Sequence, residues 1–194
     1  MKASKYVIIP GMLFLSSHSH TQDISYNYVE LNGGNSEATI ESEFGDIDID
    51  GDSFGISGSF EISDLVYLTA DYNSADFDFD IEQTVTGIGL GVHSNADSRS
   101  DVFGQFLLIN VEIEQPLLGS DDDNGFGFVF GVRHFLNEKI ELNGNITYID
   151  VFEDSETTTS IGARGYLSEK MSLGLEYSTA DDINGYTASL RFNF

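Results

Sequence analysis

The stretch Gly125-Phe126-Gly127-Phe128-Val129-Phe130-Gly131-Val132-Arg133-His134-Phe135-Leu136 decides the fold. Phe126, Phe128, Phe130 and Val132 recur with period two, so a β-strand gathers them on one face and leaves Gly127, Val129, Gly131 and Arg133 on the other. A helix would scatter the same rings around its axis. The last residues repeat the pattern, with Tyr186, Ala188, Leu190, Phe192 and Phe194 alternating against Thr187, Ser189, Arg191 and Asn193. Ile140, Leu142, Ile146 and Tyr148 likewise alternate with Glu141, Asn143, Asn145 and Thr147.

Working outward from these three, period two predicts ten strands: Asp23 to Leu31, Ser53 to Ile62, Leu65 to Asn73, Thr84 to His93, Val102 to Glu112, Gly125 to Leu136, Ile140 to Val151, Ser160 to Leu167, Ser172 to Thr179 and Tyr186 to Phe194. Eight strands is the alternative count. The first strand is the least regular, since Val29 and Leu31 fall opposite Ile24, Tyr26 and Tyr28. Connections alternate between short ones carrying basic residues, such as Asn137 to Lys139 and Ser168 to Lys170, and longer acidic ones. The long ones are Asn32 to Asp52, Ser74 to Gln83, Glu114 to Asn124, Phe152 to Thr159 and Ala180 to Gly185, and none contains Lys or Arg. This is the layout of an up-and-down antiparallel barrel.

Which face is wet then fixes the environment. On this phasing Arg133, Arg164 and Arg191 share the non-aromatic face with Glu61, Glu112, Glu141 and Glu176. Gly55, Gly87, Gly89, Gly91, Gly104, Gly127, Gly131, Gly162 and Gly174 lie there too. On a soluble barrel that face is the solvated exterior, where so many glycines weaken strands without a packing gain. As the lumen of a barrel in lipid it makes sense, because small residues leave room for paired long side chains. Tilted strands of about nine to eleven residues cross a bilayer, and only closure satisfies every backbone donor and acceptor in hydrocarbon. Tyr67, Tyr72, Tyr148, Tyr177, Tyr186, Phe192 and Phe194 are expected in the interfacial aromatic girdles.

Composition agrees. The 194 residues carry 33 acidic against 8 basic side chains, a formal charge of −25, and no cysteine. Such a surface repels nucleic acid, and the missing thiols exclude disulfides, thiolate catalysis and cysteine metal sites. Lys2 and Lys5, the apolar run Val7 to Leu15 and the small polar stretch Ser16 to Thr21 read as an export signal over 1–21, cut after Thr21 with Ser19 as the alternative, followed by one barrel domain over 22–194.

Over Gln22 to Phe194 the chain resembles the small bacterial outer-membrane β-barrels, the OmpA-, OmpX- and opacity-like family. The most specific element is Leu190-Arg191-Phe192-Asn193-Phe194, which looks like the β-signal, with Leu190, Phe192 and Phe194 as the residues read by the barrel-assembly machinery. The resemblance implies a monomer in outer-membrane lipid and says little of activity, because such barrels include anchors, adhesins, narrow pores and a few enzymes.

Chemistry-bearing groups are few. His93 and His134 are the two histidines after the leader, both expected near the short-turn side, so catalysis at the opposite rim lacks a histidine base and is left to carboxylates, among which no pair stands out. Asp46, Asp48 and Asp50 with Gly51 match the start of an EF-hand loop, but its twelfth position is Ser57 rather than Glu. Asp46, Asp48, Asp50, Asp52, Asp121 and Asp123 remain as loose divalent-cation candidates, against the plainer reading of a solvated acidic surface. No cofactor is expected. The leading expectation is a non-enzymatic barrel that supports the membrane or presents acidic loops, with an Arg/Glu-filled lumen. The alternatives are a narrow cation-preferring pore, then a rim enzyme or a soluble ligand-carrying barrel.

Overall fold

The computed structural model describes residues 26–42, 45–116, 119–181 and 183–194, so the expected signal over 1–21 lies outside the described residues. Ten strands follow in chain order: β1 Tyr28–Ser42, β2 Gly45–Ser63, β3 Val66–Phe77, β4 Ile81–Asn95, β5 Ser100–Gln115, β6 Gly119–Asn137, β7 Ile140–Val151, β8 Asp154–Ser168, β9 Met171–Ala180 and β10 Ile183–Asn193. Each pairs antiparallel with its sequence neighbours, and β1 closes on β10 from Tyr28↔Asn193 to Ala38↔Ile183. Closure leaves no sheet edge along the shared length of the wall, which is what hydrocarbon demands of a spanning sheet.

The faces divide as a bilayer requires. Phe54, Phe60, Ile88, Leu108, Phe130, Leu175 and Phe192 all point outward and are exposed, Leu175 by 70%. Arg133, Arg164 and Arg191 point inward and are buried, Arg191 completely. The seven aromatics expected in the girdles follow suit with one exception: Tyr72, Tyr186, Phe192 and Phe194 are exposed on the outer face, Tyr148 and Tyr177 are partly so, and Tyr67 is fully buried in the lumen.

Three sequence expectations change. The first strand, expected over Asp23 to Leu31, runs over Tyr28–Ser42, with Tyr26 and Tyr28 buried inside with Glu30 while Val29 and Leu31 face outward. β5 is inverted throughout. Phe103, Gln105, Leu107, Ile109, Val111 and Ile113 face the lumen, and Gly104 and Glu112 lie on the outer side. Both faces of β5 are apolar, so its period alone does not say which is inside. Lastly, the long connections are largely strand. Asn32 to Asp52 is the upper part of β1 and β2, and Glu114 to Asn124 the upper part of β5 and β6. Phe152 and Glu153, with φ of 55° and 62°, form a two-residue turn between Val151 and Asp154 where a longer loop was expected.

Candidate functional site

The lumen is built in two storeys. Nearest the short turns, charge and aromatic rings interlock. Glu30, on β1 and fully buried, accepts from two guanidinium groups through one oxygen: Arg191 Nε lies 2.7 Å from Glu30 Oε2, and Arg164 Nη2 lies 2.7 Å from it. Arg164 also donates to the hydroxyls of Ser172 at 3.3 Å and Ser189 at 3.2 Å. The Arg191 guanidinium rests 3.8 Å from the centroid of the Tyr28 ring, a cation–π contact. A second pair, Arg133 with Glu141, is equally buried, and the Tyr166 hydroxyl donates to the other Glu141 oxygen at 2.6 Å. Across the lumen the Tyr26 ring lies between Tyr67, 4.2 Å away and stacked, and His93, 3.9 Å away. The Tyr26 hydroxyl donates to Asp101 at 2.8 Å. Glycines make the room that these rings occupy: a Cβ on Gly91 would lie 2.0 Å from Tyr67 Cζ, and one on Gly131 2.1 Å from Phe103 Cζ.

Above this storey, Val85, Leu107, Ile109, Val111, Ile113, Val129, Ile149 and Val151 pack as an apolar layer on the β4–β7 side. The facing wall carries Asn32, Asn73, Ser160, Ser178 and Thr187. The lumen thus carries paired charge near the short turns and, above it, an aliphatic side facing a polar one.

Of the seven residues expected in the lumen network, Arg133, Glu141, Arg164 and Arg191 form its ion pairs. Glu176 is buried beside them and accepts from Asn143 Nδ2 at 3.0 Å. Glu61 is half-buried at the short-turn end of β2 and forms no ion pair among the described residues. Glu112 is outside the lumen altogether, exposed on β5, because the inverted phase turns it outward. Sequence reading missed Glu30, the acceptor shared by two arginines. The signal was its period-two spacing from Tyr26 and Tyr28, concealed because apolar residues fall on both faces of that strand.

At the opposite end the carboxylates line up on the outer wall. Register sets Asp52 opposite Asp76, Asp76 opposite Glu82, and Glu82 opposite Glu114, so four exposed carboxylates run across β2 to β5. Glu37 faces Asp50 and Glu112 faces Asp122 in the same way. Asp48, Asp50 and Asp52 stand on one strand face about 6.6 Å apart, too spread to enclose one ion. Asp48 accepts from Thr39 at 3.1 Å, while Asp123 accepts from the backbone N–H groups of Asn124 and Phe152 at 2.9 and 2.7 Å. Only the backbone of Asp46 is described, and Asp121 is exposed. Among the described residues no group of three acids or histidines is placed to hold a metal.

Like charges directly opposite each other cost about 0.2–1 kcal/mol per pair, and salt relieves them. We expect the unfolding midpoint in detergent to rise by about 2–4 °C for each kcal/mol so recovered as NaCl increases. An equal rise with MgCl₂ at matched ionic strength marks screening; a larger one marks site-bound ions.

The histidines sit near the short turns. His93 is buried, its Nδ1 3.5 Å from Asp101 Oδ2. His134 is exposed, and its Nδ1 lies 3.0 Å from the Ser100 hydroxyl, which also lies 3.0 Å from Asp97 Oδ2. Asp97 is in the β4–β5 turn, and the backbone N–H of Arg99, followed by the Ser100 hydroxyl, holds its carboxyl below the usual range. Here the serine lies between carboxylate and imidazole. A hydrolytic triad needs the imidazole in the middle, so this group is a turn clasp.

Comparison with known proteins bears on the same architecture. The translocator domain of the autotransporter NalP from Neisseria meningitidis superposes with a TM-score of 0.51 at 10% identity, covering 88% of this chain and 89% of that one. The NanC porin superposes at 0.50 and 9% identity, over 86% of this chain and all of that one. The KdgM porin gives 0.50 and 6%, over 86% and 99%. At these identities the likeness is one of fold. No match is found among curated proteins. The sequence profile of the outer membrane protein beta-barrel domain matches residues 7–194. With nearly the whole chain matched, and with a closed barrel that is charged within and apolar without, the chain belongs to the outer membrane protein beta-barrel domain family and is an outer-membrane barrel.

Proposed function

We propose that this protein is a sealed, non-enzymatic, monomeric barrel that anchors a set of carboxylate-bearing β-hairpins at the outer surface of the membrane, reached by way of a cleaved leader and the barrel-assembly machinery. The observation that carries the reading is the filled lumen: Arg133, Glu141, Glu30 and Arg191 are each at most 1% exposed, and an aliphatic layer lies above them. Conduction needs a continuous water path, which paired and buried side chains across the bore do not supply. The hairpins at the long end carry no Lys or Arg, so what they present outward is uniformly anionic.

Two measurements test this. In planar bilayers the protein is expected to give no conductance steps; steps above noise, with cations favoured, establish the narrow pore instead. Because the chain has no cysteine, Glu153→Cys and Glu138→Cys each report one end of the barrel. A membrane-impermeant maleimide added to intact cells is expected to label the first and spare the second. The reverse pattern ends the surface-presenting reading.

A further inference from the structure

Strand β6 outruns its neighbour. Its pairing with β7 begins at Phe126↔Asp150, and the β7 chain turns back at Phe152 and Glu153, whereas β6 continues upward to Gly119. Over that upper length β6 pairs on its other side with β5, from Asn110↔Asn124 to Gln115↔Gly119. Two bonds show which residues address which side. The Phe135 N–H donates to the Arg99 carbonyl at 2.8 Å, and Asn110 Nδ2 donates to the Asp123 carbonyl at 3.3 Å, both toward β5. Odd-numbered residues of β6 therefore bond β5. Ser120, Asp122 and Asn124 turn their N–H and C=O groups the opposite way, over the β7–β8 turn. Asn124 N–H is taken by Asp123 Oδ1. The turn itself reaches β6 only through the Phe152 N–H, which donates to Asp123 Oδ2 at 2.7 Å, and among the described residues no strand pairs with Ser120, Asp122 or Asn124 on that side.

This edge is about 17 Å long and carries neither proline nor lysine. Its outward side chains are exposed, and Asp122 stands opposite Glu112 of β5. Two carboxylates therefore share one cross-strand position without a counter-charge. A second copy of the chain adding here would bring its own Asp122 against this one, a like-charge contact that opposes self-pairing. A strand with basic side chains would relieve the pair while its backbone met the open donors and acceptors.

We propose that the upper edge of β6, Ser120 to Asn124, receives an extended cationic segment of another protein as an added β-strand, its backbone bonding Ser120, Asp122 and the Asn124 carbonyl and its basic side chains meeting Asp122 and Glu112. This names a partner class for the outward-facing rim and rests on that reading. A micelle has no sides, however, so the binding experiment and the cell-labelling experiment fail independently.

The test uses the full chain folded in detergent micelles and a fluorescent seven-residue peptide alternating lysine and threonine. A second peptide of the same sequence, N-methylated at alternate residues, keeps the charge and loses the strand donors. The unmethylated peptide is expected to bind at least tenfold more tightly. Asp122→Pro and Ser120→Pro each remove a donor from the open edge and leave the β5 ladder intact, so each is expected to abolish the difference between the peptides. Asp122→Asn is expected to weaken both peptides equally. Equal affinity for the two peptides on the parent protein overturns the proposal, as does a preference that survives in both proline variants. If one variant runs alike before and after boiling on a detergent gel, and so has not folded, the other decides.

Discussion

Replacing Glu30 by alanine is expected to lower the unfolding free energy by about 3–5 kcal/mol, because it strands two guanidinium groups in a site that water does not reach. Glu30 Oε2 is 2.7 Å from both Arg191 Nε and Arg164 Nη2, and neither arginine has another carboxylate in ion-pair range among the described residues. Ser172 and Ser189 stay in contact with Arg164, and Tyr28 with Arg191, but hydroxyls and a ring face do not neutralise charge. The control is Glu61→Ala, whose half-buried carboxylate pairs with nothing among the described residues and whose loss is expected to cost less than about 1 kcal/mol. Urea unfolding in phospholipid vesicles, followed by tyrosine fluorescence since the chain has no tryptophan, measures both. A change of Glu30, Arg164 and Arg191 together to leucine and methionine should recover most of the loss. That recovery separates the cost of uncompensated charge from the cost of a cavity. A Glu30→Ala loss no larger than that of Glu61→Ala sinks the shared-acceptor arrangement.

The sequence showed the fold wherever one strand face was apolar and the other was not. β6, β7 and β10 satisfy that condition, which is why Arg133, Glu141 and Arg191 could be placed inside from spacing alone. β1 and β5 break it for different reasons. At and just before the start of β1 the lumen is lined by tyrosines, Tyr26 and Tyr28, which resemble the lipid-facing set until their hydroxyl and ring partners are seen. In β5 the lumen storey is itself aliphatic, so Leu107 and Leu108 read alike. The site suffered accordingly: an unresolved phase for β1 hid Glu30, and a wrong phase for β5 placed Glu112 in a network it does not join. The upper hairpins were illegible for another reason. Asp, Asn and Gly are depleted in strands on average, so runs such as Asp46 to Asp52 and Ser120 to Asn124 read as loop. Tertiary pairing overrides that preference, since each run continues a ladder already fixed within the barrel wall. Phe152 and Glu153 carry no glycine or asparagine to announce a tight turn, yet register leaves only two residues to make it.

The phase of β5 yields the other large effect, and it can be read from two adjacent residues. Leu107 is fully buried in the lumen, packed in the layer with Ile109 and Val129, while Leu108 is 56% exposed on the outer face. Leu107→Ala removes methyl groups from a packed interior and is expected to cost about 2–5 kcal/mol. Leu108→Ala changes one apolar contact with lipid for another and is expected to cost less than about 1 kcal/mol. Arginine reverses the diagnostic. Leu108→Arg puts a charge on the hydrocarbon face, expected to cost about 2–4 kcal/mol if the position lies at the bilayer midplane and little near an interface. Unfolding in phospholipid vesicles therefore reports depth as well as side, and Leu90→Arg and Phe106→Arg, its exposed neighbours on β4 and β5, give the same profile from adjacent positions. In the inverted phase that the sequence suggested, Leu108→Ala would be the costly truncation and Leu107→Arg the lipid-facing charge. A large loss for Leu108→Ala beside a negligible one for Leu107→Ala would return Glu112 to the lumen and take the aliphatic layer out of it. With that layer gone, the case against conduction would rest on the Arg–Glu storey alone, so these two truncations test the closed state of the barrel independently of any current measurement.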